Sequence, residues 1–508
     1  MTLERVSAGQ RSANKRRIDC RAIAIALTAT FAATSSRAMS NDQLEQLLRD
    51  QAKHIAEQDA RIRVLEERLA ANEPAAASTP PPNSAATGQP TTVAITRPEP
   101  QAGQRAHAPV VTASPSGFSF GSVDGANQLR FHALLNVDGR YFAGSSVPQG
   151  ADAWLIRQAR PILEGTVSDI YDFRFTPDFG SGKAVIQDAF ITARFRPDFQ
   201  LTVGKFKVPF GLERLQHDPD TRFIERGLPN NLVPNRDIGV QIAGNLPVGG
   251  LSYAVAVQNG VSDGGSSNAA GDIDTNNQQD TTARLYAQPF LADPDSVFKG
   301  LGFGVAANYS ASKGSTSHTL LPTYYSPGQQ AVFRYRSGAT PALLDGDRIR
   351  ISPQLYYAYG PFGLLGEYVS VRANVNRNLT TGAASVRLEQ RAWQLQASYF
   401  LTGEREAYIA PVPHASVGSA GGRGAVEIVA RYGLLDLDPR AFVGGTASLA
   451  DPTASVRRES AWAIGVNWYL TPAVKTVLDF EQTLFDGGAA TGDRPNERAV
   501  FTRFELEF

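Results

Sequence analysis

The chain has 508 residues, 49 Lys and Arg balanced by 49 Asp and Glu, and a single cysteine. Zero formal net charge gives no footing for a nucleic-acid partner or a generally basic surface, and one thiol excludes a disulfide framework. Past the first 40 or so residues no apolar run is long enough to cross a bilayer as a helix, so any span must be built from alternating strands.

The N-terminus reads as an export signal. Arg5, Arg11, Lys15, Arg16, Arg17 and Arg21 precede an apolar stretch at 22–33, and the small residues Ser36 and Ala38 suit a signal peptidase, predicting a signal peptide over 1–38. Cys20 falls inside it, so the mature chain carries no thiol, as suits an oxidising compartment. Residues 39–73 predict a periplasmic coiled coil. Asn41 or Asp42 can cap the helix, Leu48, Ile55, Ile62 and Leu69 recur every seven residues, Leu44 and Leu65 lie between them, and Gln51 and Gln58 add polar layers. A lone amphipathic helix is the alternative reading. Residues 74–116 are rich in Pro, Ala and Thr and bury too little apolar surface to repay ordering, so they predict a disordered linker.

From residue 117 to 508 the period becomes two. Leu129, Phe131, Ala133 and Leu135 alternate with Arg130, His132 and Asn136; Trp393, Leu395, Ala397 and Tyr399 alternate with Gln394, Gln396 and Ser398. About sixteen such segments predict an all-β fold, a transmembrane antiparallel β-barrel of porin size. A sandwich needs fewer strands, and no blade-length repeat supports a propeller. The chain ends on such a segment: Phe504, Leu506 and Phe508 face one way, and Arg503, Glu505 and Glu507 face the other, into the lumen. Residues 245–250 and 469–473 read as tight turns, whereas 260–280, 312–345, 414–424 and 436–456 are Gly-, Ser- and Asp-rich and are expected as long loops on the opposite, extracellular side.

Enzyme signals are poor. The six histidines show no metal-ligand spacing, GDIDTN at 271–276 lacks the glycine and closing glutamate of a calcium loop, and no Ser/His pair sits at a strand rim, so no catalytic residue, metal or cofactor is expected.

The most distinctive internal stretch is GKFKVPFGLE at 204–213, followed by a charged excursion to Arg236. With RQARPILEG (157–165), RDIGV (236–240), QNG (258–260), GAVEIVARY (424–432) and GVNWYL (465–470), it resembles the phosphate-selective porin O and P family over roughly 118–508. The resemblance implies a trimeric barrel in the outer membrane of a Gram-negative bacterium, in contact with lipid and lipopolysaccharide. It also implies inward-folded loops and basic residues that pass phosphate or polyphosphate by passive diffusion. The charge count adds a reservation: residues 110–508 hold 35 Lys and Arg against 38 Asp and Glu.

Parity turns Arg130, Arg140, Arg160, Arg174, Arg194, Arg196, Arg284, Arg348, Arg350 and Arg431 toward the lumen, along with Asp138, Glu164, Asp172, Asp188, Glu427, Asp479 and Glu481. Many of these can neutralise one another across strands. The candidates for a constriction are Lys205, Lys207, Arg214, Arg222, Arg226 and Arg236. Two other readings stand beside the anion pore: a less selective porin for other solutes, favoured by the neutral balance, and a structural or adhesive barrel tethering the envelope through its coiled coil.

Overall fold

The computed structural model describes residues 110–114, 117–143, 150–247, 250–267, 278–379 and 382–508. The predicted signal peptide, the coiled coil and most of the linker lie outside them. A short hairpin, β1 (Val110–Ser114) and β2 (Gly117–Gly121), precedes β3 (Gln128–Phe142), β4 (Ala153–Val167), β5 (Tyr171–Asp178), β6 (Val185–Arg196), β7 (Phe199–Lys207), β8 (Arg236–Asn245), β9 (Leu251–Gln258), β10 (Asp280–Ala287) and β11 (Gly302–Ser310). A second hairpin, β12 (Thr323–Tyr325) and β13 (Ala331–Arg334), interrupts the series. Then follow β14 (Leu343–Tyr359), β15 (Phe362–Leu379), β16 (Gly382–Phe400), β17 (Ala425–Asp436), β18 (Val456–Thr471), β19 (Val474–Gly487) and β20 (Glu497–Glu507).

Strands β3 to β11 and β14 to β20 pair antiparallel with their neighbours, and β20 returns to β3, closing a sixteen-stranded barrel as the alternation predicts. Closure satisfies every strand edge, which an isolated sheet in lipid could not do. The two faces follow from register. Ile191, Val203, Val240 and Val257 stand opposite one another on successive strands and are exposed outward. One residue along, Thr192, Thr202 and Gln241 form an inward row in which the two threonine hydroxyls bond at 2.8 Å.

The seam joins β20 to β3 and to the hairpin just before it. Strand β20 pairs with β3 as far as Glu507 opposite Leu134, and Phe508 and Ala133 exchange backbone bonds of 2.8 and 3.1 Å. Beyond that, β2 takes over the edge of β3 from Phe131 to Gln128, and the Phe118 ring meets that of Phe508 edge-on at 6.3 Å. Val110–Ser114, placed in the linker by composition, is therefore a strand: β2 offers it a free edge, and valines favour the extended backbone.

Strands β15 and β16 have 18 and 19 residues, against the roughly 9–11 that a tilted strand needs to cross a bilayer. In these extensions the pattern inverts. Val371, Leu388, Leu435 and Val456 are buried inside, while the side chains of Arg372, Arg391, Arg457 and Arg458 are more than half exposed outside. The barrel thus projects into water at this end, and its interior there is an apolar core rather than the open aqueous lumen that alternation implied.

Short connections gather at the rim holding 168–170, 197–198, 246–247, 360–361 and 472–473; the excursions 208–235, 311–342 and 437–455, and 259–267 after β9, leave the other rim. Residues 414–424, expected among the long loops, belong to the short-turn rim instead: Val417 N–H donates to the Leu470 carbonyl beside the 472–473 turn. Composition marks a loop but carries no information about which end of the barrel it leaves.

Candidate pore constriction

Residues 208–235 fold into the barrel instead of out over its rim. Pro209 breaks the ladder, and a single helical turn, Leu212–Leu215, follows. Its first N–H groups, Leu212 and Glu213, donate at 2.7 and 3.4 Å to the carboxylate of Glu367 on β15. Glu213 folds the segment back by accepting from Gly227 N–H at 2.9 Å, Asn230 at 2.6 Å and Gln394 of β16 at 2.9 Å. Further on, Ile224 N–H reaches Asp479 on β19 at 2.8 Å, and the Lys475 ammonium donates to the Thr221 carbonyl at 2.8 Å. The segment starts at β7, touches β15, β16 and β19, and returns to β8, so it spans the interior.

Two other segments brace it. From the long-loop rim, Asn231 and Tyr325 exchange side-chain and backbone bonds of 2.8 and 2.9 Å, and Glu497 of β20 accepts the Ser326 hydroxyl and Gly328 N–H at 3.0 Å each. Tyr324 and Phe333 stack at 5.4 Å in an apolar cluster with Phe210, Leu232 and Val233. From the short-turn rim, Ala410 N–H donates to Asp220 at 2.7 Å and Gln216 to the Tyr408 carbonyl at 2.8 Å.

Between the inward segments and the wall lies a polar cavity of about 490 Å³, lined among others by Arg157, Arg214, Arg226, Arg503, Asp218 and Glu225. Its carboxylates are saturated. Asp218 accepts Arg226 at 2.7 Å, Gln158 at 2.8 Å and also Arg160. Glu225 accepts Arg140 at 2.5 Å, Gln329 at 3.1 Å and Arg157 at 3.4 Å. Burial alone would raise both acids, but these guanidiniums outweigh it and hold Asp218 well below, and Glu225 below, the usual carboxylate range.

Arg214 differs. It donates to the Asn230 carbonyl at 3.1 Å, and no described carboxylate lies within ion-pair distance of it. Burial and the repulsion of Arg226 and Arg236 push its pKa down to about 9, which leaves it charged at neutral pH. Nearby, the Lys207 ammonium is held by the carbonyls of Gln216 at 2.5 Å and Leu215 at 3.5 Å. Among the described residues neither side chain has a carboxylate within ion-pair distance.

The other candidates fall into groups. Arg222 (Glu406 at 2.7 Å, Glu427 at 2.8 Å) and Arg431 (Glu481 at 2.5 Å) are buried ion pairs that hold the inward segment. Arg348 and Arg350 share Asp280 at 3.3 and 3.1 Å, and Arg350 also takes Asp263 at 2.8 Å. Arg236 is matched to Asp188 at 2.9 Å, Arg160 to Asp178 at 2.6 Å and Arg140 to Glu225. Arg130 and Arg174 share Glu164 at 3.5 and 3.7 Å, Arg194 takes Asp172 at 2.6 Å, and Arg196 pairs with Asp198 at 2.9 Å, largely exposed. Arg284 bonds Gln354 at 3.0 Å and stacks 4.9 Å from the Tyr286 ring. Lys205 donates to the Ser267 carbonyl. Most of the inward arginines are therefore wall and loop struts, and the cavity gathers Arg214 and Arg226 from the candidates.

Arg157 and Arg503 join them without having been singled out for the pore. The pairing of β3 with β4 slips between Asn136–Gln158 and Val137–Ile156, leaving Arg157 as the extra residue of a bulge. The bulge turns Arg157 inward beside Gln158, where strict alternation would send it to lipid. Arg503 has inward parity, but its tie to Asp138 is visible only once the ring closes.

Among the described residues no three His, Cys, Asp or Glu side chains converge to hold a metal ion.

A sequence model of the family described as phosphate-selective porin O and P matches residues 129–508. Comparison with curated proteins finds no match. Similar solved structures include the outer membrane channel DcaP of Acinetobacter baumannii, at 12% identity over 77% of this chain and 100% of that one with a TM-score of 0.47. An anion-selective porin from Comamonas acidovorans matches at 10% identity over 75% and 100% of the two chains with a TM-score of 0.45. OmpT of Vibrio cholerae matches at 9% identity over 75% and 98% with a TM-score of 0.43.

Proposed function

The chain belongs to the phosphate-selective porin O and P family, and from that premise we propose that this outer-membrane porin passes small anions, phosphate or polyphosphate among them, by passive diffusion through its loop-narrowed lumen. The observation that carries the reading is the charge left over at the cavity. Asp218 and Glu225 are each satisfied by arginines, while Arg214 faces the same space with only a carbonyl for a partner. A cation already charged and not offset raises the local concentration of anions and compensates the water they shed in a narrow passage. A guanidinium offers phosphate two parallel donors.

Chloride current through the purified protein in a planar bilayer tests this: added phosphate reduces it at neutral pH if the cavity holds phosphate, and unchanged current overturns phosphate as the solute. A less selective porin is the second reading, favoured by the 35 basic against 38 acidic residues of 110–508 and by the pairing of most inward arginines. Equal flux of phosphate and neutral sugars into vesicles would select it. Self-association as a homotrimer goes with the family reading and with the heptads at 39–73, and chemical cross-linking in membranes checks it.

A further inference from the structure

The connection 288–301 between β10 and β11 stands apart from its neighbours on the short-turn rim. It is a series of turns bonded within itself, Leu291 N–H to the Gln288 carbonyl at 3.1 Å, Lys299 N–H to Ser296 at 3.1 Å and Leu301 N–H to Phe298 at 2.8 Å. It is moored to the wall by the Tyr357 hydroxyl, which donates to the Val297 carbonyl at 2.9 Å. Phe290 and Phe298 lie 5.6 Å apart and, with Leu291 and Val297, are 39–51% exposed. Four exposed apolar side chains on one ordered turn need an occupant.

We propose that 288–301 is a foot that lies in the membrane interface, its occupant being the lipid leaflet at the short-turn rim. The apolar belt of the barrel runs into it without a break: Leu285, Phe303 and Val305 of β10 and β11 are exposed on the outer face just beyond, and Tyr359 is exposed at the end of β14. Asp293, Asp295 and Lys299 in the same connection are exposed and supply the polar groups such a segment keeps in water. Aromatic rings beside short turns settle at the headgroup boundary because one part is apolar and the backbone around them stays wet. The inference rests on the outer-membrane location and not on which solute passes.

The mature chain carries no cysteine after residue 38, so single-cysteine variants report cleanly. F298C, L291C and D295C, each bearing an environment-sensitive fluorophore, are reconstituted into phosphatidylcholine vesicles and quenched by a nitroxide high on the acyl chain or by aqueous iodide. The foot requires labels at 298 and 291 to be quenched roughly threefold more by lipid nitroxide than by iodide, with the order reversed at 295. Equal iodide quenching at all three positions makes the connection a solvated loop and overturns the proposal. Protection of 298 and 291 from both quenchers places a second copy or another protein there and also overturns it. Unaltered heat-dependent gel migration shows each variant is folded, and failure of phosphate to block current leaves this outcome untouched.

Discussion

Arg503 donates Nε and Nη2 to the two oxygens of Asp138 at 2.7 and 2.8 Å, so β20 is tied to β3 across the barrel seam by a bidentate pair that also borders the pore cavity. Structure and permeation meet at this pair. Asp138→Asn keeps the shape but releases Arg503 toward the cavity as an additional unneutralised cation. The anion-to-cation permeability ratio should rise. The seam should lose about 1–3 kcal/mol, read as a lower temperature for heat-modified migration in gels.

The N-terminal hairpin completes the seam where β20 runs out. Deletion of 110–121 exposes the β3 edge from Gln128 to Phe131 and uncovers the ring of Phe508. The shortened barrel should still assemble but unfold at lower temperature in detergent, with unit conductance unchanged because the hairpin lies outside the cavity lining.

Glu213 is a positioning residue for the inward segment. It is buried and accepts from Gly227, Asn230 and Gln394 at once. Glu213→Ala leaves those donors unsatisfied, at a cost of about 1–3 kcal/mol per buried group, and frees the segment from β16. Single-channel records should show larger and noisier conductance. Glu213→Gln, which keeps an acceptor oxygen, should restore most of the quiet state.

The acid limit of the constriction follows from Asp218 and Glu225. Both are depressed in the folded state, so their stabilisation is complete above the ordinary carboxylate range and is lost as pH falls through their lowered values. Conductance should hold steady through the ordinary carboxylate range of about pH 4 and rise only below it, as protonation releases Arg140, Arg157 and Arg226. Recording the same channel across that window checks it, and Glu225→Gln, which is uncharged at every pH, should show part of the rise already at neutral pH.

Much of the barrel was legible because alternation is a local property: lipid on one side and polar groups on the other impose period two on every strand, as from Ile191 to Val257. The charge at the pore was not legible, because neutralisation is decided by partners far away in sequence. Arg222 looked like a constriction cation until Glu406 and Glu427 arrived from other segments. Arg157 escaped the parity count because a bulge adds one residue to the pairing. The interior apolar core was hidden for a third reason. Val371 and Arg372 alternate as a membrane strand would, and only the length of β15 shows that this part stands in water with its faces exchanged.

Under the proposed function, Arg214 gives the cavity a preference for anions, because no described carboxylate lies within ion-pair distance of its guanidinium. Reversal potential under a salt gradient, measured for the purified channel and for Arg214→Gln, tests it most directly. The account predicts an anion-selective potential in the native protein that collapses toward zero in the variant, with the open channel and its thermal stability retained. A cation-selective native channel, or a potential that Arg214→Gln leaves unchanged, would contradict it.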